Sequence, residues 1–432
     1  MSAIAHNPDP IRPERPEPPA FAKPPSLWRN PSFLRLWFAK TISGLGSAIT
    51  GTAIPLTAAL VLHATPAQMA ALVFAGQLPD LLFGLIAGVW VDRARRRPLL
   101  IGADLGRALL LAVIPIAAFT HLLSFSILWI VAFGSAALTL IFTLASVAML
   151  PAIVHQDQLV DANTKLQMSE SVLSLVGPGL AGFLIQLVTA PKAILGDVLS
   201  FLASAWSLGG IGALESKPKR QTAPGMHPLL GIWQEIREGL HELLRTPLLR
   251  ALAISMGVIV VGGSVQMTVQ ILFYTRTLGF SALEIGLLAA FNGIGTLTGA
   301  ALAGKAARRW PLGIVMIVAT WVQGIMVFGS AFASEVAHPF ALLAGLGIIG
   351  GCGYAIFSIN QISLRQRITP IHLLGRVTAA RRFLILCMAP FGAALGGWLG
   401  TSLGFQPTLI VGAVIFLGGT FVMWFSPVRS AQ

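Results

Sequence analysis

The chain has 432 residues, 55% of them hydrophobic and only 10% charged, where a soluble globular protein carries roughly 25% charged residues. With a mean hydropathy of +0.79, that shortage of charge excludes an ordinary soluble fold and points to the membrane. The 29 Lys and Arg outnumber the 16 Asp and Glu, but they fall in short clusters between apolar runs, which argues against nucleic acid as a partner.

Residues 1–27 hold eight of the 27 prolines among Arg, Glu and Ala, a composition that neither forms helix nor buries a core and reads as a disordered tail. No short apolar stretch with a small-residue cleavage site precedes the first long apolar run, so no removable signal peptide is expected. The segment Trp28 to Phe38, with Phe33, Leu34, Leu36 and Trp37 beside Arg29 and Arg35, has the amphipathic composition of a helix lying on a membrane face.

A bilayer core about 30 Å thick needs about 20 apolar helical residues, and twelve runs approach that length. They are Thr41–Leu62, Met69–Val91, Leu99–Phe119, Leu128–Leu150, Leu166–Val188, Ala193–Leu214, Leu252–Leu272, Ile285–Ala303, Leu312–Phe332, Phe340–Ile362, Phe383–Leu403 and Thr408–Phe425. Each is continuous rather than alternating, which favours helices over barrel strands. With the N-terminus inside, only Lys192 and Arg276 fall in outer loops, so the positive-inside rule puts both termini in the cytoplasm.

The polar stretch from Glu215 to Arg250, with an amphipathic run from Leu229 to Leu244, divides the runs six and six. The sequence thus predicts an all-α membrane protein with twelve transmembrane helices in two pseudo-symmetric six-helix bundles. Its parts are a tail (1–27), a first bundle (28–214), a linker (215–250), a second bundle (251–427) and a short C-terminal tail (428–432). If the halves are duplicates, an offset of 212 aligns Arg96 and Arg97 with Arg308 and Arg309, Pro178 with Pro390, Gly177 with Ala389, and Asp80 with Asn292.

The loop after the second run, GVWVDRARRR from Gly88 to Arg97, resembles the signature loop G-x-x-x-D-R-x-G-R-R of the major facilitator superfamily, with Arg95 in place of its glycine. FLRLW (Phe33–Trp37), ADLGRALLL (Ala103–Leu111), LVDANTKLQMSES (Leu159–Ser171) and LLGRV (Leu373–Val377) resemble the superfamily's branch of drug and siderophore exporters, which includes macrolide efflux proteins and the enterobactin exporter. GPGLAG, from Gly177 through Pro178 to Gly182, is similar to the glycine-proline motif of that superfamily's antiporters. The resemblance implies a secondary transporter of small amphiphilic compounds that works by alternating access in the cytoplasmic membrane as a monomer, with protons as coupling ion and no cofactor. An uptake permease and a transport-inactive sensor or assembly factor remain the alternatives.

An intramembrane charge costs about 2.5–3.5 kcal/mol on insertion scales, so such residues are candidates by default. Asp80 lies 12 residues from Asp92, about 18 Å along a helix and hence near the midplane. It is expected to bind a proton or a cationic group, or else to be a structural carboxylate held by Ser or Thr. Asn292 is its expected counterpart; Gln77, Gln266, Gln270 and Gln323 are further candidates, with Thr50 and Thr52. Trp321, Phe291 and Phe357 are the aromatic residues available for an apolar cavity.

A second set of charges, Lys40, Asp104, Arg107, Glu170, Arg376, Arg381 and Arg382, is expected near the cytoplasmic ends. With the signature-loop residues Gly88, Asp92, Arg93, Arg96 and Arg97 it suggests an inner gate. In that gate Glu170 meets Lys305 or Arg308, and Asp92 caps a helix near Arg376 and Arg381. Asp197 is expected to pair with Lys192 at the membrane edge. GLGIIG (Gly345–Gly350) and GAALAGKA (Gly299–Ala306) imitate nucleotide-binding loops but lie in apolar runs and are set aside; no metal-ligand spacing or nucleophile motif suggests an enzyme.

Overall fold

The computed structural model describes residues 26–212, 228–370 and 373–430. Most of the expected tail (residues 1–25), the linker residues Lys217, Lys219 and Arg220, and residues 431–432 lie outside them, as do the surroundings of Gly88 and the side chains of Asp92 and Arg93. Among the described residues there is no strand. The helices are α1 (Pro31–Leu56), α2 (Pro66–Arg93), α3 (Arg96–Phe119), α4 (Phe125–Ile153), α5 (Leu159–Val188), α6 (Ala190–Gly209), α7 (Pro228–Arg245), α8 (Pro247–Leu272), α9 (Ala282–Arg309), α10 (Leu312–Ser330), α11 (Pro339–Ile368), α12 (Leu374–Ser402) and α13 (Phe405–Trp424). Ten of these elements are long and apolar enough to cross a membrane; α2, α6 and the amphipathic α7 are not among the ten.

Local chemistry places the helix starts. The Asn30 side chain accepts from the backbone N–H groups of Ser32 and Phe33, and Pro31 supplies the preset φ of a first helical residue. This cap starts α1 at Pro31, so most of the segment Trp28 to Phe38, expected to lie on a membrane face, is the first part of the helix that runs on to Leu56. Leu27, Phe33 and Leu36 are buried because the chain enters the helix here and turns its apolar stripe inward. Capping boxes open α2 (Thr65 with Gln68) and α9 (Ser281 with Glu284).

Those two boxes also correct the register of the repeat. Thr65 and Ser281 are 216 residues apart, and so are the last residues of the two helices, Arg93 and Arg309. Asp80 therefore corresponds to Thr296, and Asn292 to Gly76. The equivalence of Glu170 with Arg382 that the same 212-residue offset gives also fails, because α5 and α12 begin 215 residues apart. The 212-residue alignment matched similar residues one turn out of phase, an error to which helices rich in small residues are prone.

The packing repeats as the helix order does. α1 packs on α5 and α6, α2 on α4, and α3 on α4 and α6; α8 packs on α12 and α13, α9 on α11, and α10 on α11 and α13. Between the sets, α5 lies against α9 and α12 against α2.

At the end carrying the α1–α2 and α8–α9 turns, one apolar core includes residues of both sets, among them Ile54, Met69 and Ile185 with Val269, Phe273 and Leu409. At the opposite end the cores are separate. One is built from the first set alone, around Leu36, Leu100, Met149 and Leu208, and the other from the second, around Leu252, Leu312, Leu364 and Met423. Among the described residues, the two sets thus share an apolar core at one end and have separate cores at the other.

Glycine makes the joined end possible. A Cβ on Gly286 would stand 2.9 Å from Gly182 Cα, so the α5–α9 crossing is a backbone-to-backbone contact that a side chain would push apart. Arg276, from the turn before α9, donates to the Ala64 carbonyl at 2.8 Å and ties the two turns together.

Candidate functional site

A cavity of about 1200 Å³ lies between the two sets. α1, α2, α4, α5 and α6 line it on one side and α8 to α12 on the other. Asp80, Asn292, Gln77, Gln266, Gln270 and Gln323 all reach its wall, with Thr50 and Thr52. Some of these groups already serve the fold. Gln266 Nε2 donates to the Leu409 carbonyl of α13 at 2.9 Å, Gln270 Nε2 to the Tyr274 hydroxyl at 2.9 Å, and Asn292 Nδ2 to the Gly347 carbonyl of α11 at 3.3 Å. Gln77, Gln323 and Asp80 are left facing the cavity.

Asp80 has a partner that sequence reasoning missed. Arg382 of α12 faces it across the cavity, Nη2 to Oδ1 3.8 Å, with both side chains accessible. The contact joins a carboxylate of one set to a guanidinium of the other, and it is long and open enough for an incoming charged group to replace either partner. No spacing signals it, because the two residues are 302 positions apart and meet only through the α2–α12 packing.

The expected inner gate is rearranged. Glu170 pairs with Lys40 of α1 at 2.8 Å, inside its own set. Lys305 and Arg308 are exposed, and neither has an ion-pair partner among the described residues. α5 packs on α1 along this stretch, bringing Lys40 to Glu170. Arg376 is bound by Glu238 of the amphipathic α7, which Leu243 anchors against Leu249 and Val377. Arg381 Nε is buried without a partner among the described residues. Arg97 donates to the Gly209 carbonyl at the end of α6.

Asp104 and Arg107 are not at a helix end facing solvent: their side chains are 0% and 2% exposed and form an ion pair one turn apart on α3. Ser204 of α6 donates to the other Asp104 oxygen at 2.6 Å. The Arg107 guanidinium lies over the rings of Phe142 and Phe201, 4.4 and 4.1 Å from their centroids. Asp197 does not pair with Lys192, which is exposed. It turns inward to 1% exposure, accepts from Thr50 Oγ1 at 2.5 Å and Ser200 Oγ at 2.9 Å, and touches the cavity. The α1–α6 packing puts Thr50 opposite it, which outweighs the neighbouring lysine in sequence.

The aromatic candidates do not line the cavity. Phe357 is buried in the second-set core, Trp321 packs against it, and Phe291 meets Phe340 edge-on at 6.3 Å. In the glycine-proline motif Gly177 lets α5 approach Ala48 of α1, Pro178 reaches the cavity and Gly182 meets α9, while Pro390 lies within α12.

Two like-packed sets of membrane helices around a central polar-lined cavity define a transporter of the major facilitator superfamily. The sequence profile of its transmembrane secretion effector family matches residues 23–432, and the chain belongs to that family. It is a multi-pass membrane protein and not an enzyme. The multidrug efflux pump Tap of Mycolicibacterium fortuitum is 28% identical over 88% of this chain and 92% of its own length. The enterobactin exporter EntS of Citrobacter koseri is 26% identical over 87% and 86%. Among solved structures, a bacterial homologue of the iron transporter ferroportin in its inward-facing state superposes with a TM-score of 0.72, at 16% identity over 91% of this chain and 98% of that one.

Proposed function

We propose that this protein is a secondary active transporter that exports a small amphiphilic compound, of the drug or siderophore class, by alternating access coupled to proton entry. The observation that carries the reading is the cavity between two sets of helices that share a core at one end only. Rocking the sets about a central site would open the other end and close this one. In this reading there are twelve spans, with α2 and α6 among them, in two bundles (28–214 and 251–427) joined by the 215–250 linker. Both termini lie in the cytoplasm, the membrane is the cytoplasmic one, and the monomer is the working unit. The joined end then faces outward and the cavity opens inward, the state that loads cargo for export. Efflux by relatives similar over most of their length supports the direction.

Asp80 is the cavity carboxylate that receives a proton or the cationic group of the cargo, with Arg382 its partner when the site is empty. Gln77, Gln323 and Asn292 offer neutral hydrogen bonds to the rest of the molecule. Accumulation of a panel of dyes, antibiotics and siderophores, in cells lacking their own exporters and with or without a protonophore, tests this. Wild type should lower accumulation of one chemical class, and Asp80→Asn or the protonophore should abolish the effect at equal expression. Uptake that rises with expression would instead indicate a permease. If no compound moves and Asp80→Asn behaves as wild type, the protein is not an exporter of this kind.

A further inference from the structure

The buried polar cluster beside the cavity contains two carboxylates, Asp104 and Asp197, and a single guanidinium, that of Arg107. All three are at most 2% exposed. The charges do not balance, and the hydrogen bonds divide them unequally. Asp104 holds Arg107 on one oxygen and Ser204 on the other. Asp197 receives no cation; its donors are the hydroxyls of Thr50 and Ser200. Arg107 nevertheless reaches the same stretch of α6, its guanidinium 4.1 Å from the ring centre of Phe201, one turn from Asp197, and among the described residues its Nε is buried without a partner.

Among the described residues, the other helices around Asp197 bring no further balancing charge. From α1 comes Thr50, while Lys40, farther along, is held by Glu170 of α5; from α3 come Asp104 and Arg107; on α6 itself Lys192 is exposed. An ionised carboxylate without a counter-charge is costly in so apolar a setting, and a bound proton removes the cost. Of the two acids, only Asp197 reaches the cavity, where water can deliver or remove that proton.

We propose that Asp197 is a proton site of the transport cycle in addition to the Asp80–Arg382 pair, with Arg107 as the charge that competes for it. With a proton bound, Asp197 rests on Thr50 and the cluster is neutral. When the proton leaves to the cavity, the carboxylate is drawn toward Arg107, which shares itself between two acids. Because Thr50 is on α1 and Arg107 on α3, the proton then decides which helix the Asp197 side chain holds, and through Thr50, Asp197 and Phe201, all on the cavity wall, it reshapes the surface that meets cargo. Gly46 of α1 makes the cluster possible, since a Cβ there would strike the side chains of Asp197 and Ser200.

The inference rests on the export reading for its place in a coupled cycle, but proton binding is measured without cargo. Infrared difference spectra of the purified full-length protein are recorded over a pH series, following the C=O stretch of protonated carboxyl groups. Wild type should show a titrating band that is missing in Asp197→Asn. Asp104→Asn, which frees Arg107 for Asp197, should move the band's midpoint to lower pH by about one to three units, the usual effect of an adjacent opposite charge. Thr50→Val removes a donor to the carboxylate and should move it to higher pH, a variant that keeps the buried charges in place. A merely structural acid would give no opposed shifts. The proposal is overturned if Asp197→Asn keeps every titrating carboxyl band of wild type, or if Thr50→Val and Asp104→Asn both leave the midpoint unmoved.

In proteoliposomes, ethidium accumulation driven by a pH gradient should be present in wild type and lost in Asp197→Asn. A titrating Asp197 with no gradient-driven ethidium movement would support the proton site and count against the export reading. Gradient-driven movement that survives Asp197→Asn would do the reverse.

Discussion

Adding side-chain bulk at Gly286 should unseal the joined end without touching the cavity's polar groups. A Cβ at this position would stand 2.9 Å from Gly182 Cα and 2.5 Å from the Pro178 carbonyl oxygen, and both are backbone atoms of α5. Neither can rotate aside, so Gly286→Val must separate α5 from α9. Overpacking of this kind costs about 1–3 kcal/mol, and the cost falls only on the conformation in which the two helices touch. The population ratio of joined to parted states should therefore drop by about 5–150-fold.

The assay is a pair of spin labels at Val61→Cys and Thr277→Cys, exposed positions on the α1–α2 and α8–α9 turns, in a background with Cys352 and Cys387 replaced by serine. Distances are measured by pulsed electron resonance. Gly286→Val should add a longer-distance population that the parent lacks, and Gly286→Ala a smaller one. An unchanged distance distribution, in a variant that melts like its parent, would refute the claim that this crossing holds the end closed.

Two further outcomes follow from charges the structure relocates. Glu170→Lys should impair transport and be rescued by Lys40→Glu rather than by Lys305→Glu, read as efflux in the accumulation assay, while stability changes by no more than about 1 kcal/mol because both partners are accessible. Asp104→Ala removes the ion-pair partner of the 2%-exposed Arg107 and should lower stability in thermal unfolding in detergent, by less than the ~3–5 kcal/mol of a wholly unpaired buried charge to the extent that Asp197 takes its place. The double replacement Asp104→Leu with Arg107→Met should recover most of that loss, because a packed apolar pair does not carry the desolvation cost of ions.

The membrane class and much of the cavity wall were legible because they depend on local properties. An apolar run announces a helix whatever its neighbours, and a polar residue deep in such a run must find a cavity or a partner; Asp80, Gln77 and Gln323 were found in this way. Pairing was not legible. Arg382 was assigned to a helix end, but the α2–α12 contact brings it to Asp80. Glu170 was aimed at the other half, yet it meets Lys40 in its own. Asp197 had a lysine five residues away and turned instead to a threonine 147 residues distant. The repeat was sensed, but its register was misread by a turn, since residue likeness in small-residue helices is a weaker marker than the capping boxes.

By itself, the sequence determined that this chain must live in a bilayer as helices, because continuous apolar runs with no partner for their backbone groups have no other stable state there. The helix starts were less legible: the first apolar run begins at Thr41, whereas the Asn30 cap starts α1 at Pro31. Only the tertiary structure decided which charges neutralise one another, which end of the molecule is joined, and which carboxylate is left with a hydroxyl instead of a cation. Those outcomes depend on distances between helices far apart in the chain, and helix packing sets such distances through shape, with glycines at the crossings, rather than through any pattern along the sequence.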